Sequence, residues 1–190
     1  IIKKGEEIVF AGKIERDEDI KLRDIELWSP ESPFLYDIVI ALCDSEENII
    51  DAISSYFGMR KFSIGYDDKA VPRLFLNNRP YFQTGLLDQG YWPDGGMTPP
   101  CDEAMIFDIK AMKELGFNML RKHIKIEPRR WYYHCDKLGM IVWQDMVCGA
   151  KKIDMLLVGV LPNMFIRSIK DDKYKWFGVD NTECREEHEK

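Results

Sequence analysis

The sequence predicts a mixed α and β chain in which antiparallel strands come first and strand–helix units follow. Three observations carry this. Residues 1–66 hold runs rich in β-branched and aromatic residues separated by polar turns; from Asp102 the apolar spacing becomes helical; and the later strands are almost continuously apolar. Strands of that last kind, alternating with helices, belong to parallel sheets covered by helices, whereas the early runs suit a meander.

Taken in order, Leu35–Leu42 (LYDIVIAL) reads as a strand, Glu46-Glu47-Asn48 as a polar turn, and Ile49–Ile64 as a second long strand region. Two or three strands suit part of a β-sandwich, since one of the immunoglobulin type takes about seven strands and about 100 residues. After Gly65-Tyr66-Asp67-Asp68 the pattern changes. Leu74-Phe75-Leu76, a turn at Asn77-Asn78 and Tyr81–Leu87 predict a short hairpin leading into a buried strand, because Asn tolerates the positive φ of a tight turn. A Gly/Pro-rich loop follows from Asp88 to Pro100. From Asp102, the residues Ala104, Met105, Phe107, Ile109, Met112 and Leu115 form a broad apolar helix face, with Asp102-Glu103 at the positive end and Gly116 as terminator. Phe117–His123 is then a strand, Glu127-Pro128 opens a second helix carrying Trp131, Tyr132, Cys135 and Leu138, and after Gly139 the run Met140-Ile141-Val142-Trp143 is a third buried strand. A third helix is expected from Thr182, and Lys151–Val160 is compatible with a short helix.

Composition narrows the functional classes. With 45% hydrophobic and 32% charged residues, the 190-residue chain has the apolar surface to fold. Met155–Leu161, its longest apolar stretch, is far short of the roughly 20 residues of a membrane span. The start has no signal-like pattern; the compartment stays open, with the cytoplasm ahead of secretion. The net charge of −6 is concentrated: residues 1–66 hold 8 Lys+Arg against 14 Asp+Glu, and residues 67–190 hold 19 against 19. No basic stripe is available for phosphates, so nucleic acid and membranes are excluded as partners. A phosphate ligand at Arg121-Lys122-His123 is disfavoured as well, for want of a Gly-rich strand-to-helix loop. Five cysteines without a C-x-x-C pair predict free buried thiols rather than a zinc site or disulfide framework.

Several blocks resemble glycoside hydrolase family 2, the family of β-galactosidases, β-glucuronidases and β-mannosidases. Leu27-Trp28-Ser29-Pro30-Glu31-Ser32-Pro33-Phe34-Leu35-Tyr36 and Phe57-Gly58-Met59-Arg60 are similar to its W-x-P-E-x-P-x-L-Y and F-G-x-R segments. Leu76-Asn77-Asn78-Arg79-Pro80, Gly85, the stretch Asp108–Lys113 with Gly116–Arg121, and Cys135–Val142 follow in the family's order. The resemblance covers residues 27–145 best. It implies that residues 1–66 are the C-terminal part of an immunoglobulin-like β-sandwich and residues 67–190 the first three βα units of an incomplete (β/α)8 TIM barrel, a fold that takes eight strands and about 250 residues. The chain then looks like the middle of a longer polypeptide.

Barrel sites lie at the C-terminal ends of the strands, which directs attention to Asp88, Gln89, Tyr91 and Trp92, to Arg121, Lys122 and His123, and to Trp143, Gln144 and Asp145. Period-two geometry puts Arg121 with His123 and Trp143 with Asp145 on one face each, and Lys122 and Gln144 opposite. Sugars need such a mixture: polar side chains for hydroxyls and an aromatic face for the C–H surface of the ring. The predicted substrate-binding set is Asp88, Gln89, Trp92, Arg121, His123, Trp143 and Asp145, for a β-glycoside substrate. The family's strand-two Arg and His correspond to Arg121 and His123, although the β-galactosidase branch has R-x-S-H where this chain has Arg121-Lys122-His123, and His where Gln89 stands. Other roles stay open at this stage: Arg121 pairing with Asp145 or Asp88, His123 as a structural histidine, Trp92 as a loop anchor. His134 is read as surface or packing. Asp145 falls where that branch has a magnesium-binding acid, but Met146-Val147-Cys148 offers no second ligand, and neither metal nor other cofactor is predicted.

Retaining glycosidases use two carboxyl groups about 5 to 5.5 Å apart, one an acid/base and the other a nucleophile. The resemblance implies an acid/base in an Asn-Glu motif after barrel strand four and a nucleophile after strand seven. None of Asn48, Asn77, Asn78, Asn118, Asn163 and Asn181 is followed by Glu. Both catalytic groups are therefore expected beyond Lys190, and the 190 residues alone are predicted inactive. A carbohydrate-binding or subunit-contact module, or a homo-oligomer, is the alternative organisation.

Overall fold

The computed structural model describes residues 1–14, 18–145 and 154–164. Two compact units are present: Ile1–Lys122 together with Glu127–Trp143, and a second that takes in His123–Ile126 and the described residues from Gln144 onward. Antiparallel sheets come first and parallel strand–helix units second.

In the first unit, β1 (Ile2–Lys4), β2 (Glu7–Phe10), β3 (Tyr36–Cys43) and β4 (Ile49–Phe57) form a four-stranded sheet of order β2-β1-β3-β4. The β3–β4 hairpin pairs Tyr36 with Phe57, Ile38 with Ser55 and Ile40 with Ile53. Its turn is closed by the Asp44 carboxylate, which accepts the backbone N–H groups of Glu46 at 2.9 Å and Asn48 at 2.8 Å, as Asx turns do. A second sheet, of order β5-β6-β7, holds β5 (Phe62–Tyr66), β6 (Pro72–Leu76) and β7 (Arg79–Pro80). Asn77 and Asn78, at φ 53° and 64°, make the left-handed pair that joins β6 to β7.

The third sheet, of order β10-β9-β8, comprises β8 (Gly85–Asp88), β9 (Met119–Lys122) and β10 (Ile141–Gln144). β8 and β9 are parallel, with Leu87 beside Arg121 and Asp88 beside Lys122. Helices α1 (Asp102–Glu114) and α2 (Arg129–Leu138) connect the strands. Gly116 at φ 91° and Gly139 at φ 77° terminate them, and Pro128 sits at the N-cap of α2. Met105, Ile109, Leu120, Trp131, Cys135 and Met140 form the core between these helices and the sheet.

The two signature segments meet at a joint. Trp28 is fully buried; its backbone N–H donates to Met59 O at 2.9 Å, its indole Nε1 donates to Asp136 O on α2 at 2.7 Å, and the Arg60 guanidinium lies 4.4 Å from its ring centroid. Lys113 Nζ donates to Pro30 O at 2.6 Å and also to Leu138 O. Tyr81 donates to Glu31 Oε1 at 2.6 Å, so that hydrogen bond, with desolvation opposing it, leaves the Glu31 carboxyl with a lowered pKa. Within this unit, Trp28–Glu31 is thus fastened both to the segment after β4 and to the helical layer.

Two expectations need correction. Phe107 and Leu115 are each 70% exposed rather than part of the buried face of α1. The stripe that packs is Met105, Ile109 and Met112, and at 100° per residue Phe107 lies nearly opposite Met105, while Leu115 is already past the last helical turn. Cys43 and Cys101 are exposed and only Cys135 is buried among the described cysteines. In the second unit, Leu156–Val160 is a π-helical turn continued by Leu161–Met164, part of the helix read over Lys151–Val160. The helix expected from Thr182 lies outside the described residues.

Candidate functional site at the strand ends

β8 and β9 end side by side, and the last two residues of β9, Arg121 and Lys122, face opposite ways. Arg121, beside Leu87, is exposed. The Ile141 N–H donates to Asn118 O at 2.9 Å, which sets Ile141 beside Met119 and therefore Trp143 beside Arg121. Trp143 is 45% exposed, with its indole N–H bonded to Gln83 Oε1. An arginine and a tryptophan thus stand together on the helix-free side of the sheet.

Lys122 points the other way and is completely buried. Its ammonium lies 2.6 Å from Asp88 Oδ2 and 2.9 Å from Glu127 Oε1, with the Trp131 ring centroid 4.3 Å away. A buried cation is costly unless paired and hydrogen-bonded, and here two carboxylates and an aromatic face replace its water. Asp88 also accepts the Gly90 N–H at 2.8 Å, which turns the chain as it leaves β8. The Tyr132 hydroxyl accepts the Glu127 N–H at 3.1 Å, and burial raises the pKa of that phenol.

A cavity of about 350 Å³ opens beside this group, lined by Asp88, Gln89, Trp92, Asp108, Lys122, Glu127 and Trp131 among others. That volume lies within the range of small-molecule pockets. Burial raises the Asp108 carboxyl, the charge of Asp88 adds to the effect and Lys122 opposes it. Trp92 is half-buried against the core cluster, its loop closed by reciprocal backbone bonds with Gly96 at 2.8 and 2.9 Å. Its buried indole Nε1 has no hydrogen-bond partner among the described residues.

The first unit therefore brings Asp88, Gln89 and Trp92 to one cavity and presents Arg121 and Trp143 on the sheet's other side. His123 and Asp145, both partly buried, belong to the second unit, where Gln144 Nε2 donates to Lys125 O and Asp145 O at 2.8 Å each. His134 lies 3.3 Å from Asp102 Oδ2, a packing contact between the helices. No cluster of three or more metal-ligating side chains assembles among the described residues. Sequence reasoning missed Glu127, read only as the opening of a helix, and Asp108 and Trp131, read as helix residues. Period two places Lys122 on the face opposite Arg121 without assigning it a partner; the structure shows that this face is the one that meets the helices.

Comparison with known proteins agrees in several places. The family model described as glycosyl hydrolases family 2 matches residues 2–60. The chain is 35% identical over 124 residues to a β-galactosidase of Oenococcus oeni, covering 65% of this chain and 11% of the relative. It is 27% identical over 165 residues to one from Pseudoalteromonas haloplanktis, covering 82% and 15%. Among solved structures, a Bacteroides uniformis β-glucuronidase aligns with a TM-score of 0.61 at 28% identity over 72% of this chain and 16% of its own. A Bifidobacterium dentium β-glucuronidase complexed with coumarin-3-O-glucuronide shares the fold at a TM-score of 0.59 and 23% identity, over 66% of this chain and 20% of its own. The chain spans well under a quarter of the length of each.

Proposed function

From the premise that the chain belongs to glycoside hydrolase family 2, as a fragment of it, we propose that it forms part of a retaining β-glycosidase and supplies sugar-binding residues to a site whose catalytic carboxylates lie elsewhere in the whole protein. In this reading residues 1–66 belong to an immunoglobulin-like sandwich and residues 67–190 begin a (β/α)8 barrel. The helix-free side of the third sheet then faces the barrel interior, where the sugar sits.

The observation that carries the reading is the pairing of Arg121 and Trp143 on that side at the strand ends. A guanidinium binds adjacent hydroxyls through its fork of donors, and an indole face covers the apolar side of a pyranose. Gln89 and Trp92, at the cavity beside the end of β8, and His123 and Asp145, in the second unit, are carried as further sugar-contact candidates, and Asp88 orients the loop after β8. Double displacement needs an acid/base and a nucleophile in addition, and none of these residues is assigned either role.

The test is titration of the chain with methyl β-galactoside and methyl β-glucuronide, together with assays on nitrophenyl glycosides. Saturable heat that is lost in Arg121→Ala, without turnover, is the expected outcome. Enzyme-like turnover well above an Arg121→Ala control would overturn the assignment of catalysis to other parts of the polypeptide.

A subunit-contact role is the second reading. It is favoured by the β3–β4 hairpin, where Ile40, Ile53 and Leu42 are 54%, 58% and 62% exposed. Sedimentation of the chain separates the two: a clean monomer with sugar heat leaves only the first.

A further inference from the structure

Three further groups contain unusual chemistry: the apolar groove of about 290 Å³ between Phe62, Phe75 and Trp143, the exposed face of the β3–β4 hairpin, and the buried Lys122. Only the last has an arrangement that defines its own role. A lysine with no exposed surface would ordinarily be replaced by an apolar residue at a helix-facing strand position, because burying its charge opposes folding. Lys122 is instead held by two carboxylates from different segments, Asp88 at the end of β8 and Glu127 just before α2.

We propose that Lys122 is a positioning residue that ties the end of β8 to the start of α2 from behind the sheet, setting the place of Gln89 and Trp92 in the loop after β8. The role rests on the sugar-binding reading above. The geometry supports it at each step. One ammonium bridges the two segments through bonds of 2.6 and 2.9 Å, with the Trp131 ring centroid 4.3 Å away. Asp88 in turn fixes Gly90 through its second oxygen at 2.8 Å, and two residues later comes Trp92. The two bonds use different carboxylate oxygens, so the ammonium and the loop backbone are held at once. A hydrocarbon side chain would fill the same space without connecting the two segments.

The experiment compares the full chain with Lys122→Met, with Lys122→Met/Glu127→Gln, and with Asp88→Asn. The double variant removes the buried cation and its buried partner together and so avoids an uncompensated charge. Asp88→Asn keeps an oxygen for Gly90 while abolishing the Asp88 ion pair, and it leaves Lys122 paired with Glu127. Amide hydrogen exchange and titration with methyl β-glycosides are read on each. The expected result is exchange at least tenfold faster across residues 89–92 in the double variant and in Asp88→Asn, with β3–β4 amides unchanged, and sugar affinity reduced at least tenfold. A purely structural lysine would speed exchange throughout the first unit or nowhere. Unchanged exchange across residues 89–92, with sugar binding intact, would overturn the role of Lys122 alone. Absence of sugar heat in the unaltered chain would instead overturn the sugar-binding reading, and with it the purpose of the tether.

Discussion

Arg60 Nη1 lies 2.7 Å from Asp136 Oδ1, joining the segment after β4 to helix α2. The two side chains are 30% and 20% exposed, so the pair is far from the fully solvated kind that contributes almost nothing. Arg60 also covers the Trp28 ring at 4.4 Å, and Asp136 accepts the Tyr56 hydroxyl at 3.1 Å. Loss of the guanidinium removes a charge-assisted bond and a cation–π contact together, so Arg60→Ala is expected to lower stability by about 1–2 kcal/mol. Lys at this position recovers only part, since an ammonium lacks the planar fork and stack. Urea unfolding measures both, and a loss below about 0.3 kcal/mol for Arg60→Ala would mean that the joint is held by the Trp28 bonds alone.

The same cluster makes stability depend on pH at the alkaline end. Burial foremost, then the Asp136 charge and hydrogen bond, push the Tyr56 phenol up to about 12. The unfolded phenol ionises near 10. The folded state therefore holds this proton more tightly, and its stabilising contribution is complete below pH 10 and lost as pH rises from 10 to 12. The Tyr81 phenol is raised in the same direction by burial and by Glu31. Denaturation midpoints of the unaltered chain and of Tyr56→Phe should accordingly converge across that window. A difference between them that stays constant from pH 9 to 12 would show that Tyr56 keeps its ordinary ionisation.

Gly139 is where the left-handed end of α2 meets the signature segment. Its φ is 77°, and a Cβ there would stand 2.4 Å from Pro30 O and 2.6 Å from Lys113 Nζ. An alanine pays the left-handed penalty of about 1–2 kcal/mol and must also displace a backbone carbonyl. Gly139→Ala is thus expected to cost more than ~2 kcal/mol, against well under 1 for Gly116→Ala's steric part, because Gly116 has open space around its Cβ direction. Thermal unfolding of the two variants tests the contrast; equal losses would show that backbone strain alone sets the cost.

Much of this architecture was legible because local chemistry and tertiary structure agree. Asn77-Asn78, Gly116 and Gly139 mark the turn and the helix ends, and each has the positive φ its residue type permits. The strands and helices between them follow from period and propensity. What could not be read was which side of an element meets a neighbour: Phe107 has the same hydrophobicity as Met105, and only the direction of the sheet selects between them. The site shows the same division. Placement at the strand ends singled out Asp88, Gln89, Trp92, Arg121 and Trp143, but the second carboxylate on Lys122 comes from Glu127, across a loop whose path no residue pattern specifies.

Thiol chemistry gives an independent check on the core. Burial pushes the Cys135 thiol well above its ordinary range, so it presents almost no thiolate near neutrality, whereas Cys43 and Cys101 are exposed. Iodoacetamide at pH 8 should modify Cys43 and Cys101 in the native chain and reach Cys135 only after denaturant is added, as read by peptide mass spectrometry. Modification of Cys135 at a rate matching Cys43 would contradict the packing of α2 on the sheet.

The exposed end of the β3–β4 hairpin tests whether exposure there contributes to folding of the chain itself. Ile40 and Ile53 are cross-strand partners, 54% and 58% exposed, on a face shared with Ile38 and the stacked Tyr36–Phe57 pair. Side chains already more than half in water lose little when made polar, and surface changes away from special features usually stay within about 0.5 kcal/mol each. An exposed apolar face is at the same time the natural site for dye binding and self-association. Ile40→Lys/Ile53→Glu places opposite charges across the pair, so it should leave the unfolding midpoint nearly unchanged while lowering anilinonaphthalene sulfonate fluorescence. A large fall in the midpoint would instead show that this face is buried in the folded chain, most simply by another copy.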